Sequence, residues 1–192
     1  MGNNVKLESC HNDIQKMLVA IGEDPKREGL RRTPQRYLET LSDLTSGYKA
    51  DLKEIFRDAF FEEAYNDMIV VGNIEFYSLC EHHLLPFFGR CHVGYIPNKK
   101  IIGLSKIPRV IDVFAKRLQV QERMTHQIGE ALVHALAPQG LGVIMEASHL
   151  CMMMRGVQKQ NSFATTSYVN GCFLSLETRE EFVSHVRSKP FS

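Results

Sequence analysis

Two short clusters in this chain of 192 residues bring thiols and imidazoles together: Cys80-Glu81-His82-His83 and His149-Leu150-Cys151. Thiolate sulfur and imidazole nitrogen in combination suit zinc, and a catalytic zinc keeps three protein ligands with one position left for water. Cys80 and His83 are three apart, a spacing that lets a turn aim both at one ion. His149 and Cys151 are two apart, so within a strand they face the same side. One of them can then bind metal while the other stands beside a substrate. On this reading Cys80, His83 and Cys151 are the ligands, and His82 and His149 are the neighbouring acid–base groups. The alternative is a structural site, in which four of these residues, with one histidine from each cluster, close a tetrahedral shell.

A second set of residues can hold an anion. Gly103-Leu104-Ser105-Lys106 precedes Arg109 and a helical pattern that begins near Ile107. If Ser105 caps that helix, backbone N–H groups and two cations converge at a helix N-terminus, a ready phosphate site. The glycine-rich spacing of a P-loop is missing. Arg155 follows Cys151 closely enough to reach a ligand beside the metal. Gln121-Glu122 opens another helix, and a carboxylate there matches the paired N1–H and exocyclic amine donors of guanine. The plain alternatives are an acidic residue favoured by the helix dipole at Glu122 and a solvated helix start at Lys106 and Arg109.

The remaining thiols and imidazoles have no visible partners. Cys10, Cys91 and Cys172 read as packed residues, and His11, His92, His126, His134 and His185 as surface or core ones. Met152-Met153-Met154 reads as apolar strand. Five cysteines in a chain of this length do not suggest a disulfide framework, which fits a reducing cytoplasm. A net charge of +1 lacks the basic excess of a nucleic-acid binder. No apolar run approaches the ~20 residues needed to span a bilayer. Residues 1–10 are polar without a signal-peptide core, so the chain reads as soluble, unprocessed and cytoplasmic.

The elements that must position these groups are read from periodicity. Ile14, Met17, Leu18 and Ile21 share a helix face, with Gly22 as the stop. Thr33-Pro34 reads as an N-cap with proline at the first helical position, and Tyr37, Leu38, Leu41 and Leu44 form the stripe of a second helix. From Met68 the pattern turns to strands over 68–80 and 87–96. Helical spacing returns over 107–118 and 120–137, stopped by Pro138 and Gly140. Strands are expected over 141–153 and 164–176, and Thr178 with Glu181 forms a capping-box pattern before a last helix. The expected architecture is α+β: an N-terminal helical region over 1–66, then a domain over 67–192 with a mainly antiparallel sheet and helices on one face. Such a sheet has two edges to cover, which points to a homo-oligomer joined through its sheets.

Together these segments carry a resemblance. Cys80-Glu81-His82-His83, Gly103-Leu104-Ser105-Lys106, Gln119-Val120-Gln121-Glu122-Arg123, His149-Leu150-Cys151 and Arg155-Gly156 stand in the order and spacing seen in GTP cyclohydrolase I. The chain resembles that family from about Thr33 to its C-terminus, and residues 151–158 look closest to its animal-type branch. The resemblance implies the tunnelling fold, β-β-α-α-β-β, with sheets joined into a barrel, two five-membered rings stacked as a decamer, and active sites at subunit interfaces. It implies one zinc per subunit, GTP as substrate, and 7,8-dihydroneopterin triphosphate and formate as products, on the way to tetrahydrofolate or tetrahydrobiopterin. A feedback regulatory protein is a further implied partner; nucleic acid and membrane are not.

Residue by residue, Cys80, His83 and Cys151 match the family's zinc ligands, and His82 and His149 its acid–base histidines. Ser105, Lys106, Arg109 and Arg155 match groups near ribose and triphosphate, with Ser105 and His149 serving the ribose rearrangement. Gln121 and Glu122 match residues near ribose and guanine, and Arg36 a further phosphate contact. This chain has Glu39 where some members carry lysine one turn after the Arg36 position, and Met124 where leucine or isoleucine is usual.

Overall fold

The computed structural model describes residues 7–188; residues 1–6 of the polar N-terminal stretch, and 189–192, lie outside the described residues. Two compact units divide the chain, Met1–Ser46 and Gly47–Ser192. In the first, α1 (His11–Ala20) and α2 (Thr33–Leu44) form a helix pair. Gly22 takes a φ of +94° just past α1, a conformation glycine adopts without a Cβ penalty. Thr33 does not act as the expected N-cap: it lies inside α2, and its hydroxyl donates back to the Gly29 carbonyl. Pro34 does sit in the first turn, where its missing N–H costs nothing.

The second unit begins with α3 (Leu52–Phe56) and β1 (Phe60–Glu62). Leu52, Ile55, Phe56 and Phe60 pack on the core of this unit, so the segment 47–66 goes with the sheet rather than with the N-terminal helices. The sheet is built from β2 (Ile69–Cys80), β3 (Pro86–Ile96), β6 (Gly140–His149) and β7 (Ala164–Gly171). Between β3 and β6 come β4 (Lys100–Ile102), α4 (Lys106–Ala115), β5 (Leu118–Gln119) and α5 (Gln121–Leu136). A short α6 (Leu150–Met153) comes after β6, and α7 (Leu176–Arg187) ends the described chain.

The spatial order β5-β2-β3-β6-β7 is antiparallel except at β5, which pairs parallel with Leu79 and Cys80. β1 and β4 form a separate two-stranded ribbon. These three short strands were not expected, because two or three residues carry no period to read. α4 and α5 cover one face of the sheet through a core that includes Phe76, Val93, Tyr95, Ile111, Ile128 and Val143. The expectation of helices on one face needs correction. Gly94 and Gly142 stand opposite each other on the other face, where a Cβ on Gly94 would collide with the Phe182 ring of α7 and one on Gly142 with the Phe173 ring, with Phe182 next to it.

Three ends also differ. The fourth strand stops at Gly171, at φ +59°, and a 3-10 turn over Cys172–Leu174 replaces its expected extension. α7 is capped by Ser175, whose hydroxyl accepts from the Thr178 N–H, rather than by Thr178. Met152 and Met153 lie on α6 instead of on a strand.

Candidate metal centre and acid–base site

Residues 81–85 turn the chain from β2 into β3. Leu84 adopts a φ of +53°. The Cys80 carbonyl accepts from the N–H groups of His83 (3.3 Å) and Leu84 (2.8 Å), and the Cys80 N–H donates to the Leu85 carbonyl at 2.9 Å. This tight turn brings Cys80 Sγ to 3.7 Å from His83 Nδ1. Cys151 comes from the other end of the chain. β6 pairs with β3 so that His149 stands opposite Phe87, which sets the end of β6 beside the start of β3.

One donor atom from each of Cys80, His83 and Cys151 lies within 4.8 Å of the others, and among the described residues no fourth member joins the group. Zinc–sulfur bonds of about 2.3 Å and zinc–nitrogen bonds of about 2.0 Å separate tetrahedral ligands by roughly 3.3–3.8 Å. Cys80 Sγ and His83 Nδ1, 3.7 Å apart, match that span, and the three donors together could hold one zinc. Cys80 is buried at 7% exposure while His83 is exposed, so the group has a protein side and a solvent side. Burial, and next the neighbouring Cys80, push the Cys151 thiol up, protons that a bound cation displaces.

The spacing rule used for His149 and Cys151 fails in an instructive way. β6 ends at His149, and Cys151 lies on α6, so period-two facing does not apply between them. The change from strand to helical turn sends Cys151 toward Cys80 and leaves His149 against the sheet. His149 stacks flat on Phe87, with centroids 4.7 Å apart and rings 2° from parallel. Its Nε2 lies 2.8 Å from Gln121 Oε1. Burial lowers the basicity of His149, while the Glu122 carboxylate acts in the opposite sense.

His82 is exposed beside the group, with Nδ1 3.9 Å from Cys80 Sγ and Nε2 3.9 Å from Glu81 Oε1. Arg155 brings a cation to the same place, with Nη1 3.2 Å from His83 Nε2. Glu122 is exposed on the first turn of α5, whereas Gln121 is buried and its side-chain amide is bonded inside the protein. Of these two neighbours, Glu122 therefore presents its side chain to solvent, while the Gln121 side chain faces the protein interior.

Two residues the motif spacing did not single out hold the site together. Glu81 pairs with Arg123, which lowers the Glu81 carboxyl below its ordinary range. Arg123 also donates to Gln119 Oε1 at 3.2 Å, and the Gln119 carbonyl accepts from the Glu81 N–H at 3.0 Å. The ligand turn, β5 and the start of α5 are thus tied to one another.

Ser105, Lys106 and Arg109 lie at the start of α4. Ser105 makes no side-chain cap bond, contrary to expectation, and Lys106 Nζ donates to the Arg57 carbonyl at 3.3 Å. α4, ten residues and about 15 Å long, leads from these residues to β5, which pairs with Leu79 and Cys80. Arg36 stands on α2 of the first unit, where Gln35 and Glu39 bond to each other at 2.7 Å. Cys91, by contrast, is a core thiol whose pKa is raised by burial, as its reading from the sequence has it.

A family model described as GTP cyclohydrolase I matches residues 10–187 of this chain. Proteins named GTP cyclohydrolase 1 are similar over nearly its whole length. One from Campylobacter jejuni subsp. jejuni serotype O:23/36 (strain 81-176) is 58% identical over 184 residues, 95% of each chain. One from Campylobacter concisus (strain 13826) is 55% identical over 182 residues, 94% of this chain and 96% of that one. A third, from Leptospira biflexa serovar Patoc (strain Patoc 1 / Ames), is 58% identical over 178 residues, 92% and 97% of the two chains. A solved structure described as archaeosine synthase QueF-Like in the apo form is 13% identical, with a TM-score of 0.46 over 54% of this chain and 93% of that one.

Proposed function

The chain belongs to the GTP cyclohydrolase I family, a family of hydrolases, and we propose that it opens the guanine imidazole ring of GTP at a zinc held by Cys80, His83 and Cys151. The products are 7,8-dihydroneopterin triphosphate and formate, for tetrahydrofolate or tetrahydrobiopterin synthesis. The observation that carries this reading is the convergence of two thiols and one imidazole within 4.8 Å, flanked by two further histidines. Three donors rather than four favour an open site over a closed structural one.

When bound, zinc supplies the Lewis acidity that makes water a nucleophile near neutral pH. The chain's own residues do the rest. His82 donates a proton to N7, which makes C8, lying between two ring nitrogens, more electrophilic. Ring opening and a second hydration release C8 as formate. His149 and Ser105 move protons at the ribose during its opening and rearrangement. Glu122 pairs with the N1–H and exocyclic amine of guanine, donors that adenine lacks. Lys106, Arg109 and Arg155 neutralise the triphosphate.

The site is proposed to include more than one copy of the chain: Ser105, Lys106 and Arg109 stand at the start of α4, whose other end leads into β5 beside Leu79 and Cys80. Edge strand β7, and the unpaired part of β2 before Leu79, offer edges for joining sheets into the barrel of a tunnelling-fold decamer. The catalytic domain is assigned to 67–192, buttressed by 47–66, with the helix pair before it.

Incubation with GTP and zinc under reducing conditions tests the reading. Release of formate together with a pterin that fluoresces after oxidation is expected. A metal-replete protein that yields neither product is not a GTP cyclohydrolase.

A further inference from the structure

Gln121 opens α5 at 2% exposure. Its NH2 group faces the carbonyl oxygens of Met145 (3.2 Å) and Ala164 (3.0 Å) and the hydroxyl of Thr166 (3.1 Å). Its Oε1 lies 2.8 Å from Nε2 of His149. Two strand carbonyls can only accept, so they determine which end of the amide is nitrogen. A flipped amide would set its oxygen against both of them, and no donor would remain for either at that position. With Oε1 turned toward His149, the contact is a hydrogen bond only if Nε2 carries a proton.

The rest of the network leaves the amide no freedom. Thr125 Oγ1 donates to the Gln121 carbonyl at 2.8 Å and lies 2.6 Å from Thr166 Oγ1. The hydroxyl of Thr166 then donates to Thr125 and accepts from Gln121, so each of the two hydroxyls donates once and accepts once. On the other side, the flat stack on Phe87 fixes the plane of the imidazole.

We propose that Gln121 is a positioning residue: its Oε1 accepts from His149 Nε2, which fixes the tautomer and the plane of the imidazole and leaves Nδ1 as the nitrogen without a hydrogen. The relevance of this to turnover rests on the ring-opening reading above; the tautomer does not. The same bonds explain why the Gln121 side chain has no atom left for substrate.

Two measurements test the proposal on the zinc-loaded protein. The first is the 15N spectrum of histidine-labelled protein, with the His149 signals identified by their loss in His149→Ala. At a pH where the ring is neutral, Nε2 is expected to be the protonated nitrogen and Nδ1 to carry the lone pair. A neutral His149 protonated on Nδ1 overturns the proposal, whatever the activity. The second is Gln121→Met, which removes both acceptor and donors from a side chain of similar length. Unchanged zinc content and GTP KM are expected, with kcat lowered about 10²-fold, the lower end of what general acid–base catalysis contributes. A raised KM with kcat kept would make Gln121 a substrate contact and overturn the positioning role. If that variant does not fold, the wild-type spectrum decides alone. Wild-type protein that releases no formate from GTP would overturn the ring-opening reading, with the tautomer still decided by the spectrum.

Discussion

Arg123, in the first turn of α5, closes an ion pair on Glu81 in the β2–β3 turn, 42 positions earlier in the chain. The pair joins the turn that carries Cys80, His82 and His83 to the helix start that carries Gln121 and Glu122. Both side chains are partly open to solvent, so the pair contributes little to global stability. Its consequence is the spacing between the candidate metal ligands and Glu122, the proposed guanine contact. Arg123→Ala and Glu81→Gln should therefore keep stoichiometric zinc and an unchanged melting temperature while lowering kcat/KM for GTP about 10–100-fold, as loss of a supporting partner does at metal sites. Unchanged kinetics in both variants would reduce the pair to an ordinary surface ion pair.

The metal assignment is checked by content rather than by rate. Cys151→Ser should fold and bind far less zinc than wild type, measured by elemental analysis after gel filtration. Because the donor atoms of Cys80 and Cys151 lie within 4.8 Å of each other, stripping zinc and exposing the protein to air should join them as a disulfide. Thiol titration that still finds both cysteines free after that treatment would count against their closeness.

Glu122→Gln keeps the size of the side chain and removes its charge. Stoichiometric zinc is expected, with kcat/KM for GTP lowered by about 10²-fold or more, since a site built for two donors loses one acceptor and gains an unmatched amine. Steady-state kinetics with unchanged GTP use would leave Glu122 as an acidic residue at a helix start, favoured by the dipole.

His92 makes stability depend on pH. Its Nδ1 accepts from the Asn73 N–H at 3.1 Å, in the β-bulge where Asn73 takes a φ of +58°. Burial lowers the basicity of His92; Glu146 opposes this and Arg90 reinforces it. A proton on Nδ1 would replace an acceptor by a donor facing another donor. The unfolded chain therefore takes up this proton at a higher pH than the folded one. Stability from this source is complete above the ordinary imidazole value of about 6.5 and is lost as pH falls from there through the lowered folded value. His92→Gln should flatten the fall in melting temperature between about pH 7 and pH 5. An identical slope in wild type and variant would remove His92 as its source.

Much of this protein is legible along the chain, because the signals are local. Hydrophobic period gives away α1, α2, α4, α5 and the strands β2, β3 and β6, since a helix or strand repeats its pattern within a few residues. Cys80 and His83 can be paired for the same reason: Cys80 ends β2 and the five-residue turn directly after it carries His83. What the chain order hides is set by contacts between distant segments. Gln121 reads as a helix-start residue near a ligand, and only the approach of β6 and β7, with Met145, Ala164 and Thr166 lying 24, 43 and 45 positions away, turns it into the anchor of His149. Glu81 and Arg123 are two exposed charges until the parallel pairing of β5 with β2 brings their segments together. His149 and Cys151 carry the right residue types two apart. Where each one points was decided by the end of β6, which depends on where β3 stops offering it partners. Residue type and short spacing determine which chemistry is present; packing across the sheet determines which atom of each residue performs it.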